Sequence, residues 1–155
     1  MYKVKWRIMK QEKKYPLADH QDQNIISESY IAWGLPDAAA KISEGLHTDI
    51  LATIQNRLNL SNHELADLLL ISPRTLDRRK KESVLPSDES ERSYRIARLT
   101  DLAFQIFGSK EKAAKWFNEP NYALGNKKPI ELVKTEPGAR LVENTLGRIR
   151  YGVTV

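Results

Sequence analysis

Two helix-start signals lie close together in the middle of this chain, in the segment SNHELADLLLISPRTLDRRKK at residues 61–81. Ser61 followed by Glu64 is a capping box, in which each side chain satisfies a backbone N–H at the start of a helix. Ser72 followed by Pro73 marks a second start, because proline at the first helical position has no N–H that would lose a partner. The segment therefore predicts two short helices joined by a tight turn.

The apolar residues of this segment predict that the two helices form a helix-turn-helix. Ala66 is small enough to let the second helix pack closely, and Leu65, Ile71 and Leu76 would fix the crossing of the two helices. Leu70 stands where such turns usually carry glycine, which adopts the left-handed backbone without steric cost. We therefore expect either a left-handed leucine, at a cost of ~1–2 kcal/mol, or a wider right-handed turn.

The second helix carries the basic residues of the motif. Arg74 and Arg78 lie one turn apart, and an arginine can bind guanine O6 and N7 with two hydrogen bonds. Neighbouring hydroxyl and ammonium groups are better suited to phosphate contacts, and Asp77 could instead pair with Arg74 or Arg78. The alternative is a helical pair that serves packing alone, with a solvated basic face. The expected DNA-binding residues are Ser72, Arg74, Thr75, Asp77, Arg78, Lys80 and Lys81.

Apolar spacing in most of the remaining chain is typical of helices, so the sequence predicts a mainly α fold. Short strands could form at the two ends, because residues 2–8 alternate between apolar and charged side chains and residues 153–155 are extended in character. The N-terminal strand could pair with the C-terminal residues or with a sheet of a partner, or it could be a mobile basic arm. The expected domains are an N-terminal extension at 1–45, a helix-turn-helix module at 46–84 and a second helical domain at 85–155.

Composition narrows the function classes. The chain has no cysteine, which excludes disulfides, thiolate metal sites and a cysteine nucleophile. The three histidines lack metal-ligand spacing, and there is no glycine-rich phosphate loop or nucleophile elbow. We therefore expect no enzyme, no catalytic residues, no metal and no cofactor. No apolar run reaches the ~20 residues that span a bilayer, so we expect a cytoplasmic protein, and the net charge of +5 suits an anionic partner.

The sequence after the helix-turn-helix completes a resemblance to a known family. Its features are the run ISPRTLDRRKK, the linker Leu85-Pro86, a long helix ending at Phe107-Gly108, the segment NYALGNKKPIELVKTEPGA, and the end LGRIRYGV. Over residues 46–155 the chain resembles the MbcA/ParS/Xre antitoxins.

The resemblance implies an antitoxin of a type II toxin–antitoxin pair. Its partner would be a RES-domain toxin that acts on NAD, either by degrading it or by using it for ADP-ribosylation. The C-terminal domain would mediate self-association and hold the toxin, in a homodimer or a larger complex with toxin, and the helix-turn-helix would bind operator DNA and repress the operon. Two other classes stay open: a stand-alone dimeric helix-turn-helix transcriptional regulator, and an assembly module without DNA contact.

The chemistry of the last residues fits a blocked active site. Two arginines and a tyrosine would suit a pocket built for an anionic dinucleotide, and the α-carboxylate of Val155 could mimic phosphate. The alternative is that Ile149, Tyr151 and Val153 pack on the chain's own core. The expected toxin-binding residues are Arg148, Arg150, Tyr151, Gly152, Val153 and Val155.

Overall fold

The computed structural model describes residues 30–153, and this part of the chain is helical. A 3₁₀ turn at Tyr30–Ala32 precedes the first helix, and another occurs at Tyr122–Leu124. The helices are α1 Leu35–Glu44, α2 Asp49–Leu58, α3 Asn62–Leu68, α4 Pro73–Arg79, α5 Ser87–Phe107, α6 Lys110–Asn118, α7 Pro129–Leu132 and α8 Glu136–Tyr151.

The predicted mainly α fold, with a helix-turn-helix followed by a small helical domain, is confirmed. Extended pairing between residues 30 and 153 is limited to two isolated bridges, His47 with Val84 and Asn121 with Lys127. The alternating segment 2–8 lies outside the described residues. No helix of the described region is long and apolar enough to cross a lipid bilayer.

The helix starts follow the local signals in the sequence. The side chains of Ser61, Ser72, Ser109 and Thr135 each accept a hydrogen bond from a backbone N–H of the first turn. The helix α4 ends at Arg79, and α5 begins at Ser87. Pro86, whose backbone is extended, stands directly before the first residue of α5.

The long helix α5 lies at the centre of the core. It contacts α1, α2, α6, α8 and the turn at Tyr30–Ala32. Its fully buried apolar residues include Ile96, Ala97, Leu99 and Ala103. None of the residues from Glu89 to Ala103 is exposed, so α5 is enclosed by its neighbours rather than packed by a single face.

Buried polar groups attach neighbouring segments to α5. The hydroxyl of Ser90 accepts a hydrogen bond from the Leu46 N–H at 2.9 Å and donates to the Leu85 carbonyl at 3.2 Å. The carboxylate of Asp101 accepts from the Tyr30 N–H at 2.8 Å and pairs with Arg57 of α2. Burial raises the pKa of Asp101, and the nearby Arg57 charge opposes that effect.

Three of the aromatic residues, Trp33, Trp116 and Phe117, belong to the core or pack against it. Phe117 is fully buried, and Trp116 contacts it edge-on with ring centroids 5.3 Å apart. Trp33 stacks on Tyr94 of α5 with centroids 5.6 Å apart.

The turn of the helix-turn-helix is the tight left-handed one, and the wider right-handed turn is not adopted. Leu70 has φ = 58°. The Ile71 N–H donates to the Ala66 carbonyl at 3.0 Å, and the Leu70 N–H donates to the Asp67 carbonyl at 3.1 Å. These two bonds form a Schellman motif, which ends α3 and aims the chain into α4. The leucine therefore carries backbone strain that a glycine would avoid.

We expect Leu70→Gly to stabilise the protein by ~0.5–1 kcal/mol, because relief of the left-handed strain exceeds the extra unfolded-state entropy of glycine. Urea unfolding of the full chain measures the change. Leu141→Gly is a matched control, since Leu141 is 54% exposed against 56% for Leu70 but lies inside α8. It should lose ~1 kcal/mol, and a loss at both positions would contradict the strain at Leu70.

Candidate nucleic-acid and partner interfaces

The helix-turn-helix is built on buried residues from both of its helices. Leu65 and Ala66 of α3 and Leu76 of α4 are fully buried, and Ile71 of the turn packs against the same core. These are the four residues that the sequence analysis assigned to the crossing. The outer face of α4 is left for other contacts.

Most of the expected DNA-binding residues lie on that outer face. The side chains of Arg74, Arg78 and Lys81 are exposed. The Ser72 hydroxyl caps α4 by accepting from the Thr75 N–H at 3.0 Å, and the two hydroxyls lie 2.9 Å apart. Arg74 and Arg78 are thus the residues most open to a ligand, while Ser72 and Thr75 also bond to each other.

Asp77 is exposed on α4, but its expected pairing with an arginine of α4 is not found among the described residues. Arg78 Nε instead lies 3.7 Å from Glu82 Oε1. Asp77 therefore faces solvent beside the basic residues, where it would repel phosphate and favour base edges that offer a hydrogen-bond donor.

Lys80 is held away from the outer face of α4. Its Nζ atom donates to Asn62 Oδ1 at 2.6 Å and to Gln55 Oε1 at 3.0 Å. These contacts join the C-terminal end of α4 to the corner between α2 and α3. Lys80 would have to leave both partners to contact a phosphate.

Arg79 anchors α4 to α5, a role that the sequence analysis missed. Its Nε and NH2 atoms donate to the two carboxylate oxygens of Glu89 at 2.7 and 2.9 Å, and NH1 donates to Glu82 at 3.0 Å. The side chains of Arg79 and Glu89 are largely buried. The hydrogen bonds to Glu89 raise the pKa of the Arg79 guanidinium above its ordinary value. The sequence of residues 74–81 alone gave no sign that one of its basic residues faces inward.

The helix α8 is joined to α5 by a second two-pronged ion pair. The Arg98 guanidinium donates to both oxygens of Glu143, at 2.8 and 2.6 Å. These hydrogen bonds lower the pKa of Glu143 and raise that of Arg98. The core side of α8 is thereby fixed, with Val142 and Leu146 buried beneath it.

The C-terminal end of α8 leaves its expected toxin-binding residues in solvent. Tyr151 is 77% exposed and Val153 is 59% exposed, so these two do not pack on the chain's own core. Ile149 is less exposed, at 40%. The Arg150 guanidinium is 5.9 Å from the centre of the Tyr151 ring. Exposed positions also include Arg148 and Gly152, whereas Val155 lies outside the described residues.

Leu141 extends this exposed region along α8, and the sequence analysis did not single it out. Leu141, Arg148 and Tyr151 are spaced so that they lie on the side of the helix opposite the buried Val142 and Leu146. An apolar residue on the outer face of an otherwise polar helix was the available signal. The described exposed apolar residues in this part of the chain are Leu141, Ile149, Tyr151 and Val153.

Comparison with known proteins divides the chain into two matched regions. The family model for the antitoxin Xre-like helix-turn-helix domain matches residues 37–98. The family model for the antitoxin Xre/MbcA/ParS C-terminal toxin-binding domain matches residues 102–152. The two matches meet inside α5.

Individual relatives agree with the family models. The chain is 35% identical over 120 residues to a protein named Antitoxin Xre from Photorhabdus laumondii, covering 76% of this chain and 81% of that protein. It is 33% identical over 114 residues to an Antitoxin Xre from Yersinia enterocolitica, covering 72% and 77%. A chain in the crystal structure of the M. tuberculosis MbcT–MbcA toxin–antitoxin complex superposes with a TM-score of 0.56 at 25% identity, covering 70% of this chain and 96% of that chain.

We expect Glu89→Ala to lower the free energy of unfolding by about 3 kcal/mol, because it leaves the largely buried Arg79 with only Glu82 as a partner. Glu119→Ala is the control, since Glu119 and Lys115 are both mostly exposed and 3.7 Å apart, and it should change stability by less than ~0.5 kcal/mol. Chemical unfolding of both variants measures the difference. Equal effects would contradict an anchoring role for Arg79.

Proposed function

Because the chain belongs to the Xre/MbcA/ParS family of antitoxins, we propose that it neutralises a RES-domain toxin that acts on NAD and represses its own operon. In this proposal the part from residue 85 onward binds the toxin and mediates self-association, and residues 46–84 bind operator DNA. The residues after Gly147 enter the toxin's active site.

One observation carries the toxin-binding part of the proposal. Apolar side chains accumulate in solvent along the end of α8, where Leu141, Tyr151 and Val153 are all more than half exposed. Several large apolar side chains exposed on one helix can mark a protein interface. Tyrosine and arginine also supply most binding energy at such interfaces, and Arg148 and Arg150 flank the apolar residues here.

The side chains of this region could occupy a pocket that normally holds a dinucleotide. Arg148 and Arg150 carry the same charge as the groups that bind phosphate, so inside such a pocket they would pair with carboxylates or backbone carbonyls that normally orient the substrate. The Tyr151 ring can stack where a base or nicotinamide ring would lie. Occupation of the pocket by these groups would exclude NAD.

The DNA-binding part rests on the exposed face of α4. Arg74 and Arg78 project from one side of a helix whose position is fixed by the buried crossing and by Arg79. This is the geometry in which a recognition helix presents side chains to the major groove. Self-association would place two such helices on neighbouring half-sites.

A chain that ends after Ile149 should keep its fold but lose inhibition of the toxin. The buried part of α8 ends at Leu146, so removal of residues 150–155 takes away only exposed groups among those described. The measurement is NAD consumption by a RES-domain toxin, titrated with full-length and shortened antitoxin, with circular dichroism as the check on folding. Full inhibition by the shortened chain would contradict the blocked-pocket mechanism.

Tyr151→Ala should raise the concentration needed for half-inhibition by about thirtyfold, which corresponds to ~2 kcal/mol for a central interface tyrosine. Tyr122→Ala is the matched control, since Tyr122 is 85% exposed but lies in the loop between α6 and α7. It should leave inhibition unchanged. Equal effects of the two variants would place the toxin contact elsewhere.

Arg74→Ala and Arg78→Ala should each reduce the preference for the chain's own promoter over a random duplex by ~1–3 kcal/mol, because each removes one two-pronged base contact. Gel-shift titrations with both duplexes measure this, and Lys112→Ala on α6 serves as the control for loss of charge. Unchanged preference in both arginine variants would remove them from recognition. A chain that binds the promoter but no toxin would favour the stand-alone regulator.

A further inference from the structure

The loop between α6 and α7 is held by its own backbone. The Asn121 N–H donates to the Lys127 carbonyl at 3.1 Å, and the Asn126 N–H donates to the Asn121 carbonyl at 2.9 Å. The Asn121 side chain also accepts from the Ala123 N–H at 2.9 Å, and Leu124 is buried beneath the loop. The exposed side chains of Lys127 and Lys128 therefore project from a fixed backbone.

The segment 128–134 that follows this loop lies beside α3 of the helix-turn-helix. Lys134 Nζ donates to Asp67 Oδ2 at 2.6 Å, and this bond lowers the pKa of Asp67. Hydrogen bonds from Ser61 lower the pKa of Glu64, and the charges of His63 and Lys128 lower it further. Lys134 is bonded to Asp67 near the end of α3, and the charge of Lys128 acts on Glu64 nearer its start, so the segment runs along α3 in the same direction.

The two carboxylates of α3 are unfavourable for a helix that must lie near DNA. The first helix of a helix-turn-helix crosses the sugar–phosphate backbone, and exposed carboxylates there would repel phosphates. Glu64 cannot be given up without loss of the cap, because its Oε2 accepts from the Ser61 N–H at 2.8 Å. Compensation for both charges comes from lysines outside the motif.

We propose that the lysines of residues 127–134, which lie within the region matched by the toxin-binding domain, form part of the DNA-binding surface. Lys127 and Lys128 contact phosphates of the strand beside α3, and Lys134 neutralises Asp67. Glu131 is the only acidic residue of this segment, so the segment keeps a positive balance. This inference rests on the DNA binding proposed above.

The test is the salt dependence of DNA binding by the full chain. Each lysine that neutralises a phosphate contributes about 0.9 to the slope of log K against log salt concentration. With a fluorescent random-sequence duplex, Lys127→Gln/Lys128→Gln should lower the magnitude of that slope by about 1.8. Lys110→Gln/Lys112→Gln on α6 removes the same net charge from exposed positions elsewhere and should leave the slope unchanged.

The outcomes separate this inference from the proposed function. A slope that changes in Arg74→Ala/Arg78→Ala but not in the Lys127/Lys128 variant would overturn the inference and leave DNA binding by α4 standing. Equal slope changes in the 127/128 and 110/112 variants would also overturn it, because only net charge would then matter. No salt-dependent binding by the unmodified chain would refute both the inference and the DNA-binding part of the proposed function.

A pair of variants tests the role of Lys134 separately. Lys134→Gln should weaken binding to the same duplex by about fivefold, the ratio that corresponds to ~1 kcal/mol for one exposed charge pair. Asp67→Asn in the Lys134→Gln background should restore most of the lost affinity, because it removes the carboxylate that Lys134 neutralises. Loss of affinity that Asp67→Asn does not restore would contradict neutralisation as the role of Lys134.

Discussion

The structure depends on the enclosure of one long helix. A helix with buried residues on several sides cannot be stable until neighbours cover it, and α5 obtains this cover from α1, α2, α6 and α8. The segments that cover it come from both family-model regions, which meet within the helix. The two regions therefore share one core, although each carries a different exposed surface.

The arginines divide into two groups according to where their partners lie. Arg79 and Arg98 each donate two hydrogen bonds to a glutamate. The first of these ion pairs joins α4 to α5, and the second joins α5 to α8. Arg74 and Arg150, by contrast, are exposed on the outer sides of those same helices. Because Arg79 and Arg98 fix these helices, the exposed arginines would bind a ligand at a lower entropic cost, since their backbone needs no further ordering.

Local signals predicted the helix starts well, since capping by Ser61 and Ser72 depends only on the next three residues. The turn geometry at Leu70 stayed open, because the sequence does not show whether packing of the two helices outweighs the strain. The partners of Arg79 and Lys134 could not be predicted, as they lie 10 and 67 positions away. The exposed face of α4 followed from helical periodicity, whereas the inward direction of Arg79 required the tertiary fold.

The central position of α5 determines how proteolysis would affect this protein. A single proteolytic cut near the middle of α5 would separate the two matched regions and leave each fragment with an uncovered half of the core. Neither fragment would then hold its exposed helix in place. A cut at this place would therefore end both proposed activities, toxin neutralisation and DNA binding, in one event.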